Sequence, residues 1–460
     1  MSISTEAARP PEPPGPLTWV RRNLFNSLFN SLLTILMVFV IFYTVRGVIY
    51  WIVNVADWRP VVNFPFLYLV GQYPRDQLWR IGLSTSLIAI LFGLSWGTWG
   101  GLIRTFAVSL GAFFAVVALL PVQSNELTIP VRGALLANVL LIFLGFRLGR
   151  LQAVKGSFTA IAWLLAIEVI TLILLPGLSL RETLTLLIGS ALVFIIVYII
   201  YQAIRVGGIN STLRILILIA VILLAAEIAL ASFPNLANTP LLQKVATTSW
   251  GGLLVTFFLA AGGIVLSFPI GVVLALGRRS SLPVVKVFCT TFIEVVRGVP
   301  LVTILFMFSV ILQLFMPPEA RIDRLLRALM GMTFFSAAYT AENVRGGLQA
   351  VSQGQVEAAK SVGLNSVQIM SLIVLPQALR AVIPAIVGQF IALFKDTTLV
   401  IIVGINELLG IGKSIINSDP EFIQLQAEVF IFIAMVFWIS SYILSYASRQ
   451  LETTLGVGER

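Results

Sequence analysis

Long apolar runs alternate with short polar segments along most of the 460 residues. A helix that crosses a hydrocarbon core of about 30 Å needs roughly 20 mostly apolar residues, and these runs have that length. Because only helices and closed barrels satisfy their backbone hydrogen bonds in lipid, the pattern predicts helices. We predict twelve, at 29–54, 81–99, 103–121, 129–147, 158–176, 182–204, 214–232, 250–277, 290–316, 326–345, 380–404 and 424–447. The expected fold class is therefore all-α and integral to a membrane.

Composition agrees with this pattern and narrows the function. The chain is 58% hydrophobic and 11% charged, whereas a soluble domain has roughly 25% charged residues. It contains no histidine, which removes the commonest metal ligand and the commonest general base at neutral pH. We therefore predict no catalytic residue, no metal site and no enzymatic activity. The net charge of +10 is attributed to membrane topology and lipid headgroups rather than to nucleic acid, since no basic soluble face is present.

Lysine and arginine in short loops mark the cytoplasmic side of a membrane protein. If Arg21 and Arg22 lie inside, the count through twelve spans places both termini in the cytoplasm. Arg321, Arg324 and Arg327 then fall outside, so the rule is followed imperfectly. The same count places the polar segment after the span at 326–345 in the cytoplasm.

Three regions follow from these patterns. Residues 1–26 begin with a proline-rich stretch that cannot continue a helix, and we expect a disordered cytoplasmic tail. Residues 27–249 are expected to form a membrane extension of about seven helices that ends in an outside linker. Residues 250–460 form a five-helix unit, interrupted by a cytoplasmic loop at about 346–379.

The loop is expected to fold as a helix, a corner and a second helix. The stretch 355–362 favours a helix, and Gly363 can adopt the positive φ that closes one. Asn365 or Ser366 can then cap the second helix.

The first loop helix has the features of a contact surface. We expect Glu357 in its first turn, where a carboxylate meets the positive end of the helix dipole. The small residues Ala358 and Ala359 would let another protein approach the backbone closely.

Charged residues at membrane depth are costly and are therefore candidates for function. Glu294 and Arg297 precede Gly298 and Pro300, a combination that interrupts helical hydrogen bonding. An amphoteric substrate needs one group of each sign, so this pair is a candidate for the translocation path. The alternative is an ion pair within one helix.

A second candidate pair for the path is Lys395 and Asp396. Because adjacent residues lie on different flanks of a helix, only one of them faces the path easily. Glu342 and Arg345 are expected to neutralise each other at the cytoplasmic end of their helix.

The spacing of seven loop residues resembles the coupling loop of ATP-binding-cassette importer permeases, which docks on the ATPase subunit. These residues are Glu357, Ala358, Ala359, Gly363, Ile373, Leu375 and Pro376. Further stretches resemble the polar amino-acid importer permeases, at 292–301, 338–347 and 395–399. The seven-helix extension resembles the elongated permease subunit of general L-amino-acid importers.

This resemblance implies a permease subunit of an ATP-driven amino-acid importer that works by alternating access in the bacterial inner membrane. The implied partners are an ATPase subunit dimer, a second related permease subunit, an external substrate-binding protein, an amino-acid substrate and membrane lipids. No cofactor is expected in this chain, since ATP would be bound by the partner subunits.

One stretch imitates a nucleotide site. Residues 410–414, Gly-Ile-Gly-Lys-Ser, look like the end of a phosphate-binding loop. The first glycine that this motif requires is replaced by Glu407, and no soluble strand precedes it.

Two other classes of protein compete with this interpretation. A twelve-helix transporter driven by an ion gradient would fit the helix number, but such proteins generally show related halves and midplane carboxylates. A membrane enzyme would need a nucleophile, a base and an orienting group in one place, and no loop contains such a set.

Overall fold

The computed structural model describes residues 15–120, 128–151, 156–174, 245–317 and 322–455, with scattered positions between 185 and 228. Within these ranges the regular structure is helical and β-pairing is limited to two isolated bridges, which confirms the all-α fold class. The chain divides into two compact units, residues 1–58 and 59–460.

The first unit contains helices α1 (Pro16–Leu24) and α2 (Leu28–Asn54). Ser27 caps α2, because its side chain accepts a hydrogen bond from the backbone N–H of Asn30. Helix α2 is long and apolar enough to span a membrane, as the sequence predicted.

The second unit begins with residues 59–249 of the predicted extension, and the term extension refers to this part from here on. Short helices at Arg59–Val62 and Pro65–Val70 and a 3₁₀ turn at Arg75–Gln77 lead into four long helices. These are α3 (Leu78–Trp99), α4 (Gly101–Leu119), α5 (Ile129–Gly149) and α6 (Gly156–Leu174). The helices expected at 182–204 and 214–232, and most of the linker expected at 233–249, lie outside the described residues.

The remaining helices form the core, which opens with a 3₁₀ turn at Thr247–Ser249 and includes a short helix at Pro420–Ile423. They are α7 (Gly252–Arg278), α8 (Pro283–Gly298), α9 (Leu301–Leu314), α10 (Arg324–Ala350), α11 (Gln353–Ser361), α12 (Ser366–Val403), α13 (Leu408–Ile416) and α14 (Gln426–Leu455).

Seven helices in the described part of the chain are long and apolar enough to span a membrane, namely α2, α3, α4, α5, α7, α12 and α14. The bent pair of α8 and α9 would make an eighth span. Helix α10 is not among them, because it carries Arg324, Arg327, Glu342 and Arg345 within its 27 residues.

The continuous helix predicted at 290–316 is wrong. The structure has two helices, α8 and α9, which meet at an angle of 111°. Pro300 lacks a backbone N–H and disfavours a helical conformation in the residue before it. Val299 is accordingly extended, with φ −112° and ψ 136°.

The helix predicted at 380–404 begins much earlier than expected, at Ser366. Leu375 and Pro376 therefore lie inside a long helix and do not close a loop, and the loop predicted at 346–379 includes the end of α10 and the first turns of α12. A π-helical turn at Ile369–Val374 comes just before Pro376. This wider turn accommodates a residue that has no N–H to donate.

Contacts at opposite ends fasten the extension to the core. At the end where α7 begins, the N–H of Gly251 donates to the carbonyl of Val70 at 3.2 Å. At the end where α14 finishes, the hydroxyl of Thr105 donates to the side-chain oxygen of Gln450 at 2.8 Å. The two bonds hold the extension along the side of the core.

Helices α3 and α5 touch through four glycines, Gly93, Gly97, Gly145 and Gly149. A Cβ atom added at Gly93 would lie 2.1 Å from the carbonyl oxygen of Ile142, and one at Gly145 would lie 2.2 Å from that of Ile90. In lipid, helices associate by close packing because the hydrophobic effect does not drive them together. The two glycine pairs therefore hold this part of the extension together.

Replacement of Gly93 by alanine should destabilise the protein by about 1–3 kcal/mol, because the added methyl group has no room. The matched control is Gly82→Ala on the same helix, where an added Cβ atom has no neighbour within 4 Å. Thermal melting of the detergent-solubilised protein should show a lower melting temperature for the first variant only. Equal melting temperatures would contradict the tight contact.

Candidate functional site

The candidate coupling element is helix α11 with the corner that follows it. Gly363 has φ +87°, a left-handed conformation that favours glycine. Its N–H donates to the carbonyl of Lys360 at 2.9 Å, and the N–H of Leu364 donates to that of Ala359 at 3.2 Å. This is the hydrogen-bond pattern of a glycine C-cap, and the predicted corner is confirmed.

Asn365 rather than Ser366 caps the next helix. Its side-chain oxygen accepts from the N–H of Gln368 at 2.9 Å, and the side chain of Gln368 accepts in return from the N–H of Asn365 at 3.0 Å. This reciprocal capping box fixes the direction in which α12 leaves the corner.

Two details predicted for α11 are wrong. The helix begins at Gln353, so Glu357 lies in its second turn rather than its first. Ala359 is buried and faces the core, which leaves Ala358 as the exposed small residue. Glu357 and Val362 are exposed on the outward face with Ala358.

Ala359 belongs to an apolar cluster that we term the coupling cluster. Its buried members come from α7, α8, α10, α11 and α12, and they are Leu274, Ala275, Cys289, Ile293, Ala337, Ala341, Val344, Leu348, Ala359, Ile369, Val374, Ala378 and Ile386. Ile373 and Leu375 pack against this cluster, whereas Pro376 is exposed. Of the seven predicted coupling residues, Glu357, Ala358, Gly363 and Pro376 therefore remain exposed.

A charge cluster lies beside the coupling cluster, with Glu342 at its centre. The Nε of Arg345 donates to both carboxylate oxygens of Glu342 at 2.9 Å. Arg278 and Arg297 approach the same carboxylate at 3.5 and 3.7 Å. Arg278 also pairs with Glu294 at 2.8 Å, so three helices, α7, α8 and α10, are joined.

The expected pair of Glu342 and Arg345 is confirmed. Glu294 and Arg297 do not pair with each other within α8, because each reaches a charge on a neighbouring helix. The guanidinium of Arg297 also lies 5.5 Å from the ring centre of Tyr339. Sequence reasoning missed Arg278, since it precedes Glu342 by 64 positions and no local pattern connects the two.

The other predicted path residues, Lys395 and Asp396, end the α-helical part of α12 just before a 3₁₀ segment at Thr397–Val403. Lys395 is exposed and Asp396 is partly buried. Residues on both sides of the α8–α9 break share an apolar cluster with this segment, namely Val299, Leu301, Leu399 and Val400. The structure therefore brings the broken span next to the end of α12.

The stretch 410–414 is part of the buried helix α13 and not a phosphate loop. Gly410 and Gly412 are buried, and a Cβ atom at Gly412 would lie 2.4 Å from the Cδ1 of Ile433 on α14. These glycines allow close helix packing.

Comparisons with known proteins identify the family of this chain. Residues 267–455 match the family described as "Binding-protein-dependent transport system inner membrane component". The glutamate/glutamine/aspartate/asparagine transport system permease protein BztC of Rhodobacter capsulatus is 34% identical over 409 residues, covering 84% of this chain and 76% of that protein. The chain belongs to the amino-acid ABC transporter permeases.

Other relatives match a smaller share of the chain. The inner membrane amino-acid ABC transporter permease protein YhdY of Escherichia coli is 46% identical over 217 residues, 47% of this chain. The match spans 59% of the length of that relative. A crystal structure of an amino acid ABC transporter with histidines is 27% identical, with a TM-score of 0.40 over 44% of this chain and 91% of that one.

The permease has a fully buried carboxyl group at Glu407, between the spans α12 and α14. It caps α13 by accepting the N–H groups of Leu409 at 2.9 Å and Gly410 at 3.0 Å. Burial raises the pKa of Glu407 to about 7 from 4.5, although these hydrogen bonds and Lys413 oppose the shift.

The stability of the permease should therefore fall as the pH rises from about 4.5 to about 7, because the folded state binds more protons than the unfolded state there. Glu407→Gln keeps an oxygen for the cap but has no charge to bury. The melting temperature of this variant should depend less on pH between 5 and 8 than that of the wild type. Glu421→Gln, at an exposed carboxylate, is the control, and identical pH profiles for the wild type and Glu407→Gln would refute the assignment.

Proposed function

We propose that the permease carries amino acids inward by alternating access, driven by a separate ATPase that docks on α11. The two ATPase subunits bind and hydrolyse ATP, so this chain needs no nucleotide site or cofactor of its own. A second related permease subunit and an external substrate-binding protein complete the importer. In this arrangement the complex lies in the bacterial inner membrane, with both termini of the permease in the cytoplasm.

The coupling cluster is the observation that carries this proposal. Ala359 on the inward face of α11 belongs to an apolar cluster that also contains residues of α7, α8, α10 and α12. Close-packed interiors transmit displacement because they have little free volume. A rigid push on α11 would therefore reach four core helices at once, while Glu357 and Ala358 stay exposed for the ATPase.

The charge cluster is suited to a core that changes conformation. Its ion pairs cross between α7, α8 and α10, and the exposed fractions of the paired side chains range from 23% to 54%. Arg278 and Glu294 form the most exposed of these pairs, and exposed ion pairs contribute only about 0.2–1 kcal/mol each. Such pairs can exchange partners at small energetic cost when the helices tilt.

The assignment of amino acids as cargo rests on the relatives. The Rhodobacter capsulatus relative is named for glutamate, glutamine, aspartate and asparagine, and the Escherichia coli relative for amino acids. An amino acid carries one charge of each sign, and the path candidates Glu294, Arg297, Lys395 and Asp396 offer both. Arg297 is the strongest candidate for the positive charge on the path, because it adjoins the break between α8 and α9 and its Nε has no hydrogen-bond partner.

Gly363→Val should uncouple ATP hydrolysis from uptake, because valine strongly resists the positive φ at the corner. The test is uptake of labelled amino acids by the reconstituted complex, with and without ATP, beside the rate of ATP hydrolysis. We expect hydrolysis to continue while uptake falls by tenfold or more.

Two variants control this experiment. Gly363→Asn should retain most uptake, since asparagine tolerates the left-handed conformation. The second control, Gly354→Val, places a valine on α11 at a position where an added Cβ atom meets only the Oγ of Ser352, at 3.5 Å. Normal uptake by Gly363→Val would exclude the coupling role, and uptake that needs an ion gradient but no ATP would favour a secondary transporter.

Arg297→Gln should reduce the uptake of acidic and zwitterionic amino acids more than that of cationic ones, since it removes a positive charge from the path. The measurement is initial uptake across a panel of amino acids at fixed ATP. An equal loss for every substrate would remove Arg297 from the path and leave it as a structural member of the charge cluster.

A further inference from the structure

One end of the extension carries exposed arginines without carboxylates beside them. Helix α3 ends and α4 begins at this end, and α5 finishes there, because Gly97 near the end of α3 contacts Gly149. Arg147 and Arg150 lie at the end of α5 and are exposed. The surrounding stretches 96–110 and 141–151 contain no aspartate or glutamate.

Two more exposed arginines lie at the same end. Arg104 is in the first turn of α4. Arg449 is next to Gln450, which accepts the hydroxyl of Thr105, and Glu452 follows one turn later in α14. We call Arg104, Arg147, Arg150 and Arg449 the basic patch. It lies at the same end of the second unit as α11. Helix α12 leads away from the α11 corner, and α14 runs back and finishes at that end.

Aromatic rings hold two of these guanidinium groups in place. Arg147 lies over Phe143 at 5.5 Å from the ring centre, and Arg150 lies over Phe146 at 4.6 Å. Each ring is four residues earlier in α5, so each charge is drawn back toward the apolar part of the helix. Such stacking limits the motion of the charge and keeps its N–H groups free to donate.

The depth of the patch matches that of lipid phosphates. Helix α5 has 21 residues, or about 30 Å of helix, which is the thickness of the hydrocarbon core. Arginines in its last turn, folded back by one turn, therefore lie where hydrocarbon meets headgroups. Basic sites between helices at this depth suit anionic headgroups.

We propose that the basic patch binds the phosphate of an anionic phospholipid, with Arg147 and Arg150 as its main ligands. This inference does not depend on the transport activity. An anionic lipid held there would neutralise the patch next to the contact of α4 with α14. The lipid would thus stabilise the junction between extension and core.

The test uses the purified full-length permease in neutral detergent, with phosphatidylglycerol and phosphatidylcholine titrated separately and bound lipid counted by native mass spectrometry. We expect preferential binding of phosphatidylglycerol, weakened about fivefold for each arginine lost in Arg147→Gln/Arg150→Gln. The matched control is Arg59→Gln/Arg75→Gln at the opposite end, where Arg59 already pairs with Glu421. This control should bind as the wild type does.

Further arms separate the alternatives. Arg147→Lys/Arg150→Lys keeps the charge and should retain most of the binding, which guards against a variant that merely misfolds. Competition by inorganic phosphate at equal concentration would assign the patch to free phosphate and overturn the lipid proposal. Unchanged phosphatidylglycerol binding by the glutamine variant, with weaker ATPase binding, would make the patch a protein contact instead.

Discussion

Close approach of helices at small residues is the constraint on which the rest of this permease depends. In lipid the hydrophobic effect does not drive one apolar helix against another, so packing must hold the bundle. In the core, a Cβ atom at Gly271 of α7 would lie 2.7 Å from the Cβ of Thr340 on α10. In the extension, the glycines of α3 and α5 make the same kind of contact. Close approach at a small residue also holds α11, because a side chain larger than that of Ala359 would push this helix away from the core.

That packing also explains how charges are tolerated. Helices α7, α8 and α10 lie close enough for Arg278, Arg297 and Arg345 to share the carboxylate of Glu342. Each guanidinium thus has a carboxylate close by, and the cluster lies at the end of the bundle that holds α11. Arg279 adds a hydrogen bond to the carbonyl of Leu348 at 3.2 Å. The ends of α7 and α10 are therefore tied together just before the chain enters the coupling element.

Local rules predicted much of this structure from the sequence. Apolar runs located α2, α3, α4, α5 and α7, and Gly363 marked its corner because no other residue adopts a positive φ as easily. The burial of Ala359 depends on which face of α11 meets the core, and that is decided by helices distant in sequence. The role of Arg278 was not predicted, because its partner Glu342 is also distant in sequence. The sequence indicated that Pro300 interrupts helical hydrogen bonding, but the angle of the bend depends on how α8 and α9 pack.

The extension has a mechanical consequence for any movement of the core. It is bonded to the start of α7 through Val70 and Gly251, and to the end of α14 through Thr105 and Gln450. Each of these helices is thus bonded to the extension at one end, α7 at its start and α14 at its finish. If the core rearranges during transport, we expect α10 to stay with α7, because Gly271 packs tightly against Thr340, and the ion pairs that α8 makes with these two helices to change. The division between fixed and moving helices would then follow from which contacts are close helix packing and which are partly exposed ion pairs.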